Sequence, residues 1–226
     1  MRKLILMPFV CATGALLNIV FHTLTTGEDL LPLYLDTIFT ITITLLCGPL
    51  WGGITGALTN IIGHTVNFWG WEGYLFALCN ISTALVTWMF IRLFPNELNF
   101  AKDTQENNNF KQTLRNPTVK SRQLDKVMNR IFALTLLSFA LCLAMSILGG
   151  LIATLIQFIN SSPADELYLK ALLGSAMFEK LPIFLAEILS RIPVNIIDRL
   201  ISVFIGFGAA FFVHRFLIFL LPKNRE

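Results

Sequence analysis

Apolar residues run almost without charge over 4–25, 33–47, 50–66, 74–94, 127–159 and 193–220. Crossing the hydrocarbon core of a bilayer takes about 20 mostly apolar residues per helix. The pattern therefore predicts six membrane-spanning helices, and the breaks between them fit. Gly27-Glu28-Asp29 is an acidic interruption, and Pro32 suits the start of the next helix. Gly48-Pro49 reads as a tight turn. Residues 67–73 form an aromatic loop, Pro95 stops the fourth helix, and Ser161-Ser162-Pro163 ends the fifth.

One long polar stretch, residues 95–126, separates the fourth helix from the fifth. It contains Asn107-Asn108-Asn109, many charges and few large apolar side chains, as a solvated linker does. Residues 164–191 are apolar but are interrupted by Glu179, Lys180 and Pro182. Short loops on the cytoplasmic side of membrane proteins carry an excess of Lys and Arg. With the N-terminus inside, Arg2, Lys3, Arg92, Lys102, Lys111, Arg115, Lys120, Arg122, Lys126, Arg130, Arg215, Lys223 and Arg225 are all cytoplasmic. The outer loops then hold Glu28, Asp29, Glu72, Asp165 and Glu166. A seventh span would move Arg215, Lys223 and Arg225 outside. Residues 164–191 are therefore expected to be an interfacial or re-entrant helical segment on the outer side. The expected fold is a single all-α membrane domain of six helices with both ends in the cytoplasm.

Composition adds little to this picture. The chain has 226 residues, 55% of them hydrophobic, which leaves no room for a soluble catalytic domain beside six spans. The net charge of +3 fits membrane topology and gives no basic stripe for nucleic acid. Cys11, Cys47, Cys79 and Cys142 lie inside apolar runs without C-x-x-C spacing, as small buried hydrophobes do. The start resembles a signal peptide, but its apolar run continues past Val20 with no small-x-small site, so it reads as a retained helix.

Polar side chains inside a membrane are costly and tend to face a partner or a cavity. Here they fall into helical stripes. The third helix carries Gly52, Gly56, Asn60, Gly63, His64 and Asn67, and the fourth Gly73, Ala77, Asn80, Ala84 and Thr87. The fifth carries Ser146, Gly149, Ala153, Gln157 and Asn160, and the sixth Asn195, Asp198 or Arg199, Ser202, Gly206 and Ala210. Asp36, Thr37, Thr40 and Thr44 lie in the second helix and His22 in the first. In the expected topology Asp36, Asn60, His64, Asn67, Gln157, Asn160, Asn195 and Asp198 lie in or near the outer half. Small residues concentrate towards the inner half. This describes a bundle closed below and polar above, with a ligand pocket open to the outside. Asp36, Asn60, His64, Asn67, Trp69, Trp71, Asn80, Gln157 and Asn195 are the candidate lining residues. Trp69 and Trp71 suit a flat ring, as aromatic faces do.

Each of these residues also has a structural explanation. Asn60 and Asn80 could be interhelical glue, and His64 a satisfied structural histidine. Trp69 and Trp71 could form an interfacial belt. Asp198 and Arg199 could pair locally or with Asp36, while Glu187 and Arg191 suit a solvated i,i+4 pair on a surface helix. No H-E-x-x-H, nucleotide-binding glycine loop or hydrolase triad is present, so no catalytic residues, metal site or cofactor are expected.

The chain resembles the substrate-binding S components of energy-coupling factor (ECF) vitamin transporters. The likeness rests on Leu35-Asp36-Thr37, on Gly48-Pro49-x-x-Gly52, on Asn60, and on Arg191-Ile192-Pro193 with Ile197-Asp198-Arg199. It covers nearly the whole chain apart from the linker, which is long for the family. The resemblance implies a multi-pass plasma-membrane protein, bacterial, without enzymatic activity. Its expected ligand is a vitamin or related micronutrient, ring-containing on the evidence of the tryptophans. Its expected partners are the lipid bilayer, a transmembrane T component and two ATPase subunits of the ABC type that hydrolyse ATP. The family meets the T component through Ala-x-x-x-Ala in the first helix, for which the nearest match is Cys11-x-x-x-Ala15. In the family the loop between helices 1 and 2, here residues 26–32, acts as a lid. The alternative is a membrane sensor or signalling module that binds a ligand without uptake.

Overall fold

A computed structural model describes residues 2–26, 33–67, 71–100, 117–160 and 182–220. They form α1 (Arg2–Thr25), α2 (Ile38–Cys47), α3 (Pro49–Asn67), α4 (Glu72–Leu75), α5 (Ala77–Leu93), α6 (Pro117–Asn160) and α7 (Ile183–Leu220). There is no strand among the described residues. Four stretches are long and apolar enough to cross a membrane: Leu6–Thr25, Glu72–Leu93, Leu124–Ile159 and Phe184–Ile218. The protein is an all-α bundle compatible with a membrane.

Helix directions follow from side-chain pairings. Asn18 meets Thr40 and Thr59, and Cys11 reaches the Trp51 carbonyl. Hence α1 runs parallel to α3 and antiparallel to α2. Leu35 meets Asp198, and Thr42 meets the Gly206 carbonyl, so α2 descends beside α7. The second helix is shorter than its apolar run, because residues 33–37 are a non-helical turn. Its ten residues rise only about 15 Å, half a bilayer. The alternating Ile and Thr of Ile38–Cys47 would suit a strand, but lipid leaves a strand's backbone groups unpaired. The helix also returns threonine hydroxyls to carbonyls one turn back, Thr42 to Ile38 at 2.8 Å and Thr44 to Thr40 at 2.7 Å.

Glycines set the helix spacing. A methyl group on Gly52 would overlap the Thr44 side chain, and one on Gly56 would lie 2.8 Å from the Asn80 carbonyl oxygen. Gly206 passes 2.9 Å, by the same measure, from the Ile38 carbonyl oxygen. One end of the bundle interior is filled by Phe90, Leu134, Leu137, Leu141 and Phe207. Arg130 lies at that end, with its guanidinium over Phe207 and its Nε donating to the Glu97 carbonyl.

Three expectations need correction. The last helix does not begin at Pro193: α7 runs unbroken from Ile183 through that proline. Proline removes one backbone donor, and bundle neighbours tolerate the loss. Residues 183–191 therefore belong to the final helix and not to a separate interfacial segment. Of the expected segment 164–191, residues 164–181 lie outside the described residues. The linker is shorter than 95–126. Leu98 is fully buried and the Phe100 ring lies tilted 5.1 Å from that of Phe207, while 117–126 belong to the 44-residue α6. Finally, Cys11 and Ala15 are both fully buried, with the Cys11 thiol donating towards the Trp51 carbonyl. Small side chains there allow close packing within the bundle, and the pair lies inside it and not on its outer face.

Candidate functional site

The turn preceding α2 is built from residues that cannot sit comfortably in lipid alone. Leu35 has a left-handed backbone, φ 42°, a conformation that costs a side-chain-bearing residue about 1–3 kcal/mol. Its N–H donates to Asp198 Oδ1 at 2.8 Å. The next orphan donor, Phe39 N–H in the first turn of α2, is taken by Asn18 Oδ1 at 2.9 Å. Helix starts leave four such donors unpaired. Here α1 supplies the acceptor for one of them, while α7 takes the N–H of the turn before the helix.

Arg199 ties the turn to α7. Its Nη1 donates to the Thr37 hydroxyl at 2.6 Å, and its Nη2 pairs with Asp198 Oδ2 and, at 3.5 Å, with Asp36 Oδ1. Asn80 on α5 donates to the other Asp36 oxygen at 3.0 Å. Both arrangements open to Asp198 and Arg199 in the sequence are therefore realised together. The side chain of Asp198 is fully buried and that of Arg199 is 5% exposed, whereas 21% of Asp36 is open. Asp36 is the member of the cluster that solvent can reach.

Above this cluster, α7 carries a second charged group. Arg191 pairs with Glu187 at 3.4 Å, and Gln157 on α6 donates to Glu187 at 2.7 Å. Glu187 is only 8% exposed. The pair is therefore not solvated on a surface helix, as its spacing suggested. It is packed between α6 and α7. The Arg191 guanidinium lies 5.7 Å over the Phe76 ring. Tyr34, 39% exposed, stacks its ring 5.8 Å from that of His22, whose Nδ1 lies 3.1 Å from the Tyr34 carbonyl.

The expected lining residues divide into groups. Asp36 and Asn80 meet directly. Asn60 is buried and donates to its own helix, to the Gly56 carbonyl at 3.3 Å. His64 packs over Gly73, where a methyl group would overlap its ring, and lies 6.1 Å edge-on from Tyr74. Asn195 is bonded to Ser146 on α6 at 2.9 Å, and Gln157 to Glu187, so both link α6 to α7. Trp71 is 48% exposed at the start of α4. Trp69 and the side chain of Asn67 lie outside the described residues, as do the Asn160 side chain and most of the expected lid, residues 27–32.

Three residues escaped the sequence argument. Asn18 is fully buried and makes three hydrogen bonds, donating to Thr40 at 3.2 Å and Thr59 at 3.1 Å and accepting from Phe39 N–H. Its signal was present: it is the lone amide in a mostly apolar helix. Tyr34 and Phe76 left no such trace, since aromatic residues occur throughout the chain.

The arrangement offers hydrogen-bond donors, a carboxylate and aromatic faces at one end of an apolar bundle. Among the described residues no three His, Cys, Asp or Glu side chains converge as metal ligands. Compared with family models, curated proteins and solved structures, the chain finds no match.

Proposed function

We propose that this protein is the ligand-capturing membrane subunit of an importer, of the kind that ECF S components represent. It binds a small ring-containing micronutrient and performs no chemistry on it. The observation that carries this reading is the buried cluster of Asp36, Asn80, Asp198 and Arg199, gathered from three parts of the chain to one end of the bundle. Intramembrane ionisable residues are expensive and mark substrate pathways. The opposite end is filled by apolar side chains, which suits capture from one side better than a through-pore.

The cup opens outwards. Arg92 ends α5, Arg130 lies in the first third of α6 and Arg215 near the end of α7, all at the apolar end. Cations mark the cytoplasmic face. In this topology α1, α2, α3, α4–α5, α6 and α7 make six passes through the plasma membrane, with both ends inside. Energy comes from partners, a T component and two ATPases of the ABC type, because the sequence has no nucleotide-binding glycine loop of its own.

The test is transport in cells. Small molecules that co-purify with the protein are identified by mass spectrometry, and uptake of that compound is measured with and without the ATPase partners. Uptake that needs the ATPases supports the capture subunit. Uptake that persists without them indicates an autonomous transporter, and binding with no accumulation in any background indicates a sensor.

A further inference from the structure

α1 packs against both α2 and α3, and its contacts repeat in rows. In the first row Asn18 donates to Thr40 of α2 at 3.2 Å and to Thr59 of α3 at 3.1 Å. One turn on, a Cβ added to Gly14 would lie 2.5 Å from the Ile43 side chain of α2 and 3.1 Å from that of Thr55 on α3. Along α3 the partners then step back from Thr55 to Trp51, whose carbonyl meets the Cys11 thiol at 3.4 Å. Along α2 they advance from Thr40 to Ile43, and residues three or four apart share a helix face. The next residue on that face is Cys47, the last of α2. The antiparallel seam of α1 and α2 thus ends on a row that holds two thiols, at the end of α2 away from the Asp36 turn.

The two thiols differ in access. Cys11 is fully buried and Cys47 is half-buried. Gly48 follows Cys47, and a Cβ added there would meet nothing within 4 Å, so the turn is open. Cys11 is only loosely held. The Trp51 carbonyl already accepts from the Thr55 hydroxyl at 2.9 Å, and a thiol is a weak donor. Swinging its sulfur from Trp51 towards Cys47 gives up that weak bond. A disulfide requires Cα atoms about 4.4–6.8 Å apart. Gly14 and Ala15 next to Cys11 are small and buried, which lets the α1 backbone close in on its neighbours.

We propose that Cys11 and Cys47 are a redox-active thiol pair, which a small disulfide oxidant such as oxidised glutathione closes into a bridge between α1 and α2. Access sets the order of the steps. The attacking species is a thiolate. Cys47 attacks the S–S bond of the oxidant, forms a mixed disulfide and releases one glutathione thiolate. That thiolate takes the proton of Cys11. The Cys11 sulfur then attacks the Cys47 sulfur and expels the second glutathione. Two protein thiols are oxidised to one disulfide, and one glutathione disulfide is reduced to two thiols. The bridge pins α1 to the start of the α2–α3 turn. The proposal rests on the packing of α1 and is independent of what the bundle captures.

The test uses the reduced, detergent-purified full chain incubated with oxidised glutathione. Intact-protein mass and non-reducing peptide mapping read the product. The expected product has lost two hydrogens and joins the Cys11 peptide to the Cys47 peptide, with Cys79 and Cys142 still free. Dithiothreitol should reverse it. Folded Cys11→Ala should stop at the glutathione adduct on Cys47, and folded Cys47→Ala should leave Cys11 unmodified. Gel filtration checks folding, and the wild-type product decides alone where a variant does not fold. The proposal is overturned if the wild-type chain keeps glutathione on Cys47 or forms no bridge. A bridge from Cys47 to Cys79, to Cys142 or to a second copy also overturns it, as does a glutathione adduct on Cys11 in folded Cys47→Ala.

Discussion

Arg199 reaches from α7 to the hydroxyl of Thr37 at 2.6 Å, crossing between two parts of the chain that lie 162 residues apart. That contact, with the Asp198–Leu35 hydrogen bond beside it, holds a non-helical turn within an apolar bundle. Non-helical backbone at membrane depth survives only where protein satisfies it.

Removing one partner should therefore be worse than removing all. Asp198→Ala strands the Leu35 N–H and leaves the longer Asp36 contact as the only carboxylate on Arg199. A loss of about 3–5 kcal/mol is expected, as for other broken buried pairs. Asp36→Asn, Asp198→Leu and Arg199→Met made together should cost less than Asp198→Ala alone. Unfolding titrations in detergent measure both, and a single variant milder than the triple would show that the network does not pin the turn.

Two buried asparagines should behave differently. Asn18→Leu removes three interhelical hydrogen bonds and leaves Phe39 N–H unpaired at the start of α2. Roughly 3 kcal/mol of stability should go with them. Asn60 bonds only within its own helix. Asn60→Leu with His64→Leu should abolish ligand binding while the fold persists. Unchanged affinity in that folded double variant would take both residues out of the site.

Adjacent glycines give a sharper contrast. Gly52→Ala drives a methyl into Thr44 and within 3.1 Å of the Thr40 carbonyl oxygen, whereas at Gly53 the nearest atom is 3.9 Å away. Overpacking typically costs about 1–3 kcal/mol, so Gly52→Ala should lower the melting temperature. Gly53→Ala should stay within about 0.5 kcal/mol of wild type. Equal melting temperatures would contradict the close α2–α3 approach.

Thiol labelling tests the packing of α1. Cys11, Cys79 and Cys142 are buried, and Cys47 is only partly covered. N-Ethylmaleimide should modify Cys47 in the folded protein and spare the other three until it is unfolded. Rapid modification of Cys11 would return it to an outward face, where a docking role becomes possible again.

The sequence by itself determined that the chain is helical and compatible with a membrane, because apolar runs of that length have no other stable solution in lipid. It also picked out Asp36, Asn80, Asp198 and Arg199 as polar residues needing partners. Periodicity could not decide which partners they take. A stripe fixes the face of a helix but not the neighbour that the face meets, so the bonds by which Asn195 and Gln157 join α6 to α7 were not legible in it. Proline misled for a related reason: Pro193 signals a boundary locally, but the α6–α7 packing carries the helix through it. The sequence also could not show that Cys11 and Ala15 face inwards. Small side chains permit close approach from any direction, and only the crossing of α1 with α3 decided which surface closed over them.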